Sequence, residues 1–268
     1  MTEAATLIRL MLFLGLAALL IAAEAAWPRR RPAPPRGERW CANVGLVVID
    51  SLLLRLLTGA GAVGVAYWVE ARDLGLLHAL AWPRWVEFVV ALLALDLLIY
   101  GQHRMMHVLP PLWRLHRVHH SDPGFDVTTA LRFHPFEILL SMALKMAAVA
   151  ALGAPPWAVV VFEVLLNASS MFNHANLNLP TKVDRALRRF VVTPDMHRVH
   201  HSIHRDETDS NFGFSLPWWD HLFGSYRAQP RDGHEAMPIG LAEIPQPGGL
   251  LDLLVQPVRR DAASVRLH

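Results

Sequence analysis

The chain has 268 residues, which suits one domain with a substantial core, and hydrophobic residues make up 53% of it. Its formal net charge is only +2, and its arginines flank apolar runs instead of forming a patch with interleaved aromatic residues, which argues against nucleic acid as a partner. The sequence contains one cysteine, Cys41, so an intramolecular disulfide and a multi-thiolate metal site are both excluded.

The first apolar run covers residues 7–27, and the small residues "AEA" at 23–25 resemble a signal-peptide cleavage site. The run is followed within a dozen residues by five arginines: Arg29, Arg30, Arg31, Arg36 and Arg39. Positive charges so close to an apolar run resist translocation and mark the cytoplasmic side of a membrane. The run is therefore predicted to be an uncleaved helix with its N-terminus outside.

Three further apolar runs follow. Residues 44–69 and 85–100 are each long enough to span a bilayer. Residues 138–172 are interrupted by Pro155 and Pro156, which cannot continue a helix. This run is therefore predicted to be a helical hairpin that crosses the membrane outward and returns to the side on which it began. Counting the crossings places the arginine-rich loop and both histidine-rich stretches in the cytoplasm. The predicted fold is all-α, a multispanning integral membrane helix bundle with a cytoplasmic, histidine-rich cap that binds metal.

The chain divides into three predicted parts. Residues 1–84 hold N-terminal membrane helices and the arginine-rich loop, 85–227 hold both histidine-rich stretches, and 228–268 are a Pro- and Gly-rich tail that either docks on the domain or lies on the membrane. Within the hairpin, Lys145 and Glu163 lie at similar distances from the turn, and buried charges in membranes usually pair. They are predicted to form a structural ion pair.

The sequence "HRVHH" occurs twice, at 116–120 and at 197–201. With 15 histidines in 268 residues, H-x-x-H-H is expected by chance roughly 0.05 times, so the repeat is meaningful. Positions i, i+3 and i+4 share one face of a helix, so each word can present three imidazoles together. With the pair in "HRMMH" and the histidine in "FNHANLN", nine candidate metal ligands result: His103, His107, His116, His119, His120, His174, His197, His200 and His201. Each "HRVHH" word is expected to serve one half of a shared metal site.

Nine imidazoles are too many for one metal and suit two ions. Imidazole accepts iron, zinc, copper and nickel alike, so the residues alone leave iron and zinc open. Structural zinc usually draws on cysteine, which is nearly absent here. A haem held by two histidines would leave the triplets unexplained.

The three histidine boxes resemble those of the fatty acid hydroxylase and sterol desaturase superfamily, which consists of membrane di-iron oxygenases. "HRMMH" is similar to the family's H-x3-H box, and the two "HRVHH" words are similar to its H-x2-H-H boxes. "RFHPFE", "NHANL", "TPDMHRVHH" and "NFGFSLPWWDHLFGSY" also look like family segments, and the resemblance covers roughly residues 85 to 227.

The resemblance implies that the nine histidines bind two irons and that His134 supports a ligand imidazole by a hydrogen bond. It implies an O2-dependent attack on an unactivated C–H bond of a lipid or sterol-like substrate, giving hydroxylation or desaturation, with no catalytic side chain apart from the ligands. Because the sequence carries no flavin, haem or iron–sulfur motif, electrons must come from a separate ferredoxin or reductase.

Two more residues are supporting candidates. Asp96 lies two helical turns before His103 and either accepts a hydrogen bond from a ligand or belongs to a polar seam between helices. His204 is expected to be a solvated or supporting group. Two other functions use the same histidines: a di-zinc membrane hydrolase or lipid-modifying enzyme, and a metal-binding or metal-transport protein, which clustering on one cytoplasmic face disfavours.

Overall fold

The computed structural model describes residues 3–31, 36–80, 82–244 and 248–259, and these contain helices but no β-strand. The α-helices are, in chain order, α1 Glu3–Ala26, α2 Arg36–Thr58, α3 Gly61–Glu70, α4 Leu76–Leu80, α5 Arg84–Val108, α6 Pro110–His120, α7 Pro135–Leu152, α8 Pro156–Asn173, α9 Thr181–Leu187, α10 Pro194–His200, α11 Arg205–Thr208, α12 Trp218–Leu222, α13 Gly233–Ala236 and α14 Leu250–Val255. Two 3₁₀ helices span Val127–Leu131 and Gln256–Val258. Part of the arginine-rich loop, 32–35, and the end of the tail, 260–268, lie outside the described residues. The all-α prediction is confirmed.

Four helical segments among the described residues are long and apolar enough to cross a membrane. They are Arg9–Ala26, Arg36–Glu70, Arg84–Val108 and Pro135–Leu152. Many of their large apolar side chains are exposed on the protein surface, as expected where lipid replaces water. The chain is a membrane protein.

The predicted span 44–69 is a broken helix. α2 ends at Thr58, α3 begins at Gly61, and both Gly59 and Gly61 have φ near +58°. That backbone conformation is open to glycine and costly for residues with a Cβ atom. The two pieces together still form one candidate span.

The run 138–172 folds as two helices, α7 and α8, separated at Gly153, which ends α7 in the left-handed conformation. Lys145 Nζ donates to Glu163 Oε1 at 3.2 Å, so the predicted ion pair is confirmed, and Arg9 of α1 joins it. α8 carries Glu163 and Asn167 and is not among the four candidate spans. α8, the predicted returning arm of the hairpin, is thus less apolar than α7. Its polar side chains Glu163 and Asn167 account for the difference.

The helix bundle is packed through small residues. Ala62 and Ala66 of α3, Ala91 of α5 and Ala158 of α8 are fully or almost fully buried in one cluster with Val149 of α7. Lipid tails are as apolar as side chains, so association of membrane helices depends on close packing, which alanine permits. α3 and α5 each contact both α7 and α8. This cluster anchors α5, whose last turn carries the first histidines.

The tail docks on the domain. α14 packs on α2, and the following 3₁₀ helix packs on α6. The buried guanidinium of Arg117 donates to the carbonyl of Gln256, and the Gln256 amide donates back to the carbonyl of Arg117 at 3.3 Å. The tail thus braces the helix that carries the first "HRVHH".

Candidate metal centre

Nine histidine side chains lie together in two groups. The five-histidine group consists of His103, His107, His116, His120 and His200, and the four-histidine group consists of His119, His174, His197 and His201. Within each group the candidate ligand atoms all lie within 4.8 Å of one another. These are the nine histidines singled out from the sequence; that they bind metal stays a prediction.

Each "HRVHH" word contributes to both groups, and the expectation of one word for each half is wrong. On α6, positions i and i+4 (His116 and His120) belong to the five-histidine group and i+3 (His119) to the four-histidine group. On α10 the assignment is reversed: His197 and His201 belong to the four-histidine group and His200 to the other. Residues i+3 and i+4 are separated by about 100° around a helix, so they diverge to either side of residue i. The two helices therefore bridge both groups.

Burial keeps six of the nine imidazoles neutral. Loss of solvation lowers the pKa of His174 to about 4 and that of His200 to about 3. The same cause places the pKa values of four others well below the ordinary 6.5: His119, His120, His197 and His201. A neutral ring is the form that binds a metal, so these six rings need no proton removal at pH 7.

Hydrogen bonds that the Nδ1 atoms make to backbone carbonyls or to Glu137 fix several rings with the Nε2 atom directed toward the other histidines. Nδ1 of His103 donates to the Phe212 carbonyl at 2.8 Å, that of His174 to the Ser170 carbonyl at 2.7 Å, and that of His200 to the Ser210 carbonyl at 2.7 Å. His116 Nδ1 lies 2.7 Å from Glu137 Oε1. A proton on Nδ1 leaves a lone pair on Nε2, and such outer partners commonly orient metal-binding histidines.

The inward Nε2 atoms of several rings lie close to one another. His103 Nε2 lies 3.1 Å from His116 Nε2 in one group, and His174 Nε2 lies 3.0 Å from His119 Nε2 in the other. His197 Nε2 is 3.1 Å from the same His174 atom. Where both Nδ1 atoms carry protons, two lone pairs face each other. A cation between them removes that repulsion, so the residues fit metal ions.

Unpartnered nitrogens support the same conclusion. Both ring nitrogens of His120 and His201, Nδ1 of His197 and Nε2 of His200 are buried without a hydrogen-bond partner. A buried polar atom without a partner costs about 1–3 kcal/mol. The His120 and His201 rings stack with centroids 4.5 Å apart, one from each group. Metal bonds would satisfy these atoms.

Sequence reasoning missed two supporting groups. Glu137, in the first turn of α7, is the carboxylate that contacts His116. Arg39 was interpreted only as a topology signal, but its side chain is buried and pairs with Asp122, at 2.9 Å, and with Asp126. These two aspartates begin and end the loop that follows the first "HRVHH". Asp122 lies two residues after the first "HRVHH", so the sequence itself could have indicated it as a supporting group. The burial of Arg39 could not be predicted in this way, because it depends on how α2 packs.

The three predicted supporting residues do not contact the ligand histidines in the described contacts. Asp96 Oδ2 accepts hydrogen bonds from Trp219 Nε1 at 2.8 Å and from the Leu216 backbone at 3.3 Å, so it holds the loop that precedes α12. His134 caps α7 and bonds to the Leu254 carbonyl at 3.1 Å. His204 pairs with Asp232 at 2.8 Å near the surface. His134 and Asp96 instead position segments that frame the site.

A cavity of about 260 Å³ reaches His103 and His116 of the five-histidine group. It lies among α1, α2, α5, α7 and α8, the helices that include the candidate spans. Apolar side chains form much of its wall, among them Phe13, Val47, Leu54, Ile99, Leu166 and Phe214. An apolar ligand from the bilayer can therefore approach the histidines.

A sequence model of the fatty acid hydroxylase family matches residues 88–225, more than half of the 268-residue chain. With its helical membrane fold and two histidine groups, the chain belongs to this family, and the predicted membership is confirmed.

Named relatives share this region. The chain is 31% identical over 150 residues to an ornithine lipid hydroxylase of Rhizobium tropici, covering 56% of this chain and 44% of the relative. It is 32% identical over 156 residues to alkylglycerol monooxygenase of Homo sapiens, covering 57% and 33%. It is 27% identical over 143 residues to cholesterol 25-hydroxylase of Rattus norvegicus, covering 53% and 47%. The match thus spans less than half of each relative. No solved structure gives a significant match.

Proposed function

We propose that the chain is a membrane-bound oxygenase that uses two iron ions, O2 and externally supplied electrons to hydroxylate a C–H bond of a lipid. The observation that carries the proposal is the pair of buried imidazole groups beside a largely apolar cavity between the helices of the bundle. The relatives with matching regions are named as hydroxylases or a monooxygenase acting on lipids or a sterol.

The five-histidine group favours iron over zinc. A tetrahedral zinc site is filled by four ligands, whereas the first group offers five imidazoles. When bound, two irons would supply the redox chemistry that O2 activation and attack on an unactivated C–H bond require. The protein's part is to hold neutral rings in position through Glu137 and the backbone carbonyls of Phe212, Ser170 and Ser210.

The overall change balances as R–H with O2, two electrons and two protons giving R–OH and water. The sequence shows no motif for a flavin, a haem or an iron–sulfur cluster, so the electrons come from a separate ferredoxin or reductase. Phe214, Ile99 and the other apolar wall residues bind the hydrocarbon and exclude bulk water from its reacting carbon. The arginines after α1 support a cytoplasmic location for the histidine groups.

The test is the origin of the new oxygen atom. Protein purified in lipid vesicles, supplied with iron and a reductase, is incubated with candidate lipids under 18O2 or in 18O-labelled water. We expect one labelled atom from 18O2 in the product hydroxyl and none from water. A product hydroxyl oxygen that comes from water, or turnover without O2, would contradict the proposed oxygenase and would instead indicate a hydrolase.

A further inference from the structure

One side of the cavity is polar, although helices long and apolar enough to cross a membrane form much of its wall. Its wall includes Asp50 of α2, Gln102 of α5, Glu137 of α7 and Ser170 of α8. One side-chain oxygen of each is buried and has no hydrogen-bond partner: Asp50 Oδ1, Gln102 Oε1, Glu137 Oε2 and the Ser170 hydroxyl. Four helices thus direct unpaired oxygens into one space.

These side chains are deeply buried. The exposed fraction is 5% for Asp50, 4% for Glu137 and 7% for Ser170. A purely hydrocarbon ligand would leave their oxygens unsatisfied, at a cost for each acceptor that exceeds the gain from a typical hydrogen bond. Gln102 Oε1 can only accept, and the carboxyl oxygens of Asp50 and Glu137 accept whenever these groups are ionised, so the complementary ligand must bring hydrogen-bond donors.

The cavity wall supplies no basic side chain. The described residues that line it include two carboxyl groups and neither lysine nor arginine. The polar groups of the wall are therefore matched to a hydroxyl or an N–H group.

We infer that this cavity selects lipids whose polar portion carries hydroxyl or N–H donors, and that Asp50 and Glu137 bind those donors while the adjacent carbon lies near His103 and His116. The inference rests on the proposed function for the identity of the reaction and adds the chemical class of substrate. It also makes Asp50 a specificity-determining residue, although it lies outside the histidine boxes and outside the region matched by the family.

The experiment measures lipid binding, so that it does not depend on turnover. Zinc-loaded protein in detergent is titrated with two pairs of probes: 1-O-hexadecylglycerol with its 2,3-di-O-methyl ether, and an ornithine lipid with its N-trimethylated form. The first pair supplies hydroxyl donors and the second supplies ammonium donors, and methylation removes these hydroxyl or ammonium donors. Trimethylation keeps the positive charge, so it separates hydrogen bonding from charge attraction.

We expect methylation to weaken binding by about tenfold to a hundredfold for at least one pair, as for loss of a hydrogen bond to a charged group. Asp50→Asn should weaken binding of the preferred parent lipid and reduce the discrimination against its methylated form. The matched variant Asp73→Asn, at an exposed turn outside the cavity, should behave like the native protein.

Equal binding of parent and methylated lipids in both pairs would overturn the inference. Metal content measured for Asp50→Asn shows whether the site is intact, and Asp50→Glu, which keeps the carboxylate, should retain part of the discrimination. If donors control binding but no lipid is hydroxylated under 18O2, the cavity assignment stands and the proposed oxygenase fails. If a lipid is hydroxylated but binding does not depend on its donors, the proposed oxygenase stands and the cavity assignment fails.

Discussion

The ring nitrogens of the histidines fall into two kinds. Those that donate to backbone carbonyls or lie beside Glu137 fix the orientation of their rings, and those directed inward lie 3.0–3.1 Å from another ring nitrogen or have no partner. Burial maintains the neutral state that metal binding needs. We therefore expect removal of one histidine side chain to weaken metal binding without unfolding the chain.

His119→Ala should lower metal content and reduce activity by more than about a hundredfold, because the four-histidine group would keep only three donors. Membrane insertion should be unchanged, since His119 lies outside the candidate spans. Elemental analysis and fractionation of membranes check both expectations. His204→Ala is the control, because that ring pairs with Asp232 and belongs to neither group. Full metal content in His119→Ala would remove this residue from the ligand set.

At the scale of elements, the centre depends on how α6 and α10 are held. Arg39 of α2 contacts Asp122 and Asp126, which bracket the loop after α6, and Asn43 Nδ2 donates to Thr128 Oγ1 at 3.0 Å in the 3₁₀ helix that follows this loop. The tail braces α6 from another direction through Arg117. The histidine boxes are thus positioned by segments that contain no metal ligand.

Arg39→Ala should destabilise the protein by about 3–5 kcal/mol, because two buried carboxylates lose their cation. Part of the metal should also be lost, since the loop after α6 is released. Thermal unfolding in detergent with parallel metal analysis measures both effects. The matched variant is Arg84→Ala, whose exposed side chain lies 3.6 Å from Glu70 and should change stability by less than about 1 kcal/mol. An equal effect of the two substitutions would mean that the buried pair does not hold the loop.

Much of this arrangement could be predicted from the sequence, because helical periodicity determines which residues share a face. The spacing of "HRVHH" and "HRMMH" identified the histidines that the structure brings together, and hydropathy identified the membrane helices. The division of each word between two groups could not be predicted, since it depends on how α6 and α10 cross. The break at Gly59 and Gly61 and the burial of Arg39 likewise follow from packing between distant segments.

At the scale of the whole molecule, the bundle has two ends. The histidine groups and Arg39 lie at one end, and the turn at Gly153 packs against Gly75 at the other. The positive charges after α1 predict that the histidine end faces the cytoplasm. Cys41, which is exposed near the start of α2, is the sequence's single cysteine and a natural probe of this orientation.

A membrane-impermeant maleimide should label Cys41 in inside-out vesicles and leave it unmodified in right-side-out vesicles. Cys41→Ser combined with Asp73→Cys should show the opposite pattern, because Asp73 lies two residues before Gly75 at the other end. Labelling is read by mass shift on a gel. The reversed pattern for both cysteines would place the histidine groups outside and require an electron donor on that side.

The central claim is that two iron ions occupy the two histidine groups. The most direct test is the metal content of detergent-purified protein, measured by elemental analysis together with Mössbauer spectra of material labelled with iron-57. We predict two irons per chain with spectra showing magnetic coupling between them. Two zincs per chain in protein from iron-replete cells, with no activity restored by iron, would contradict the claim.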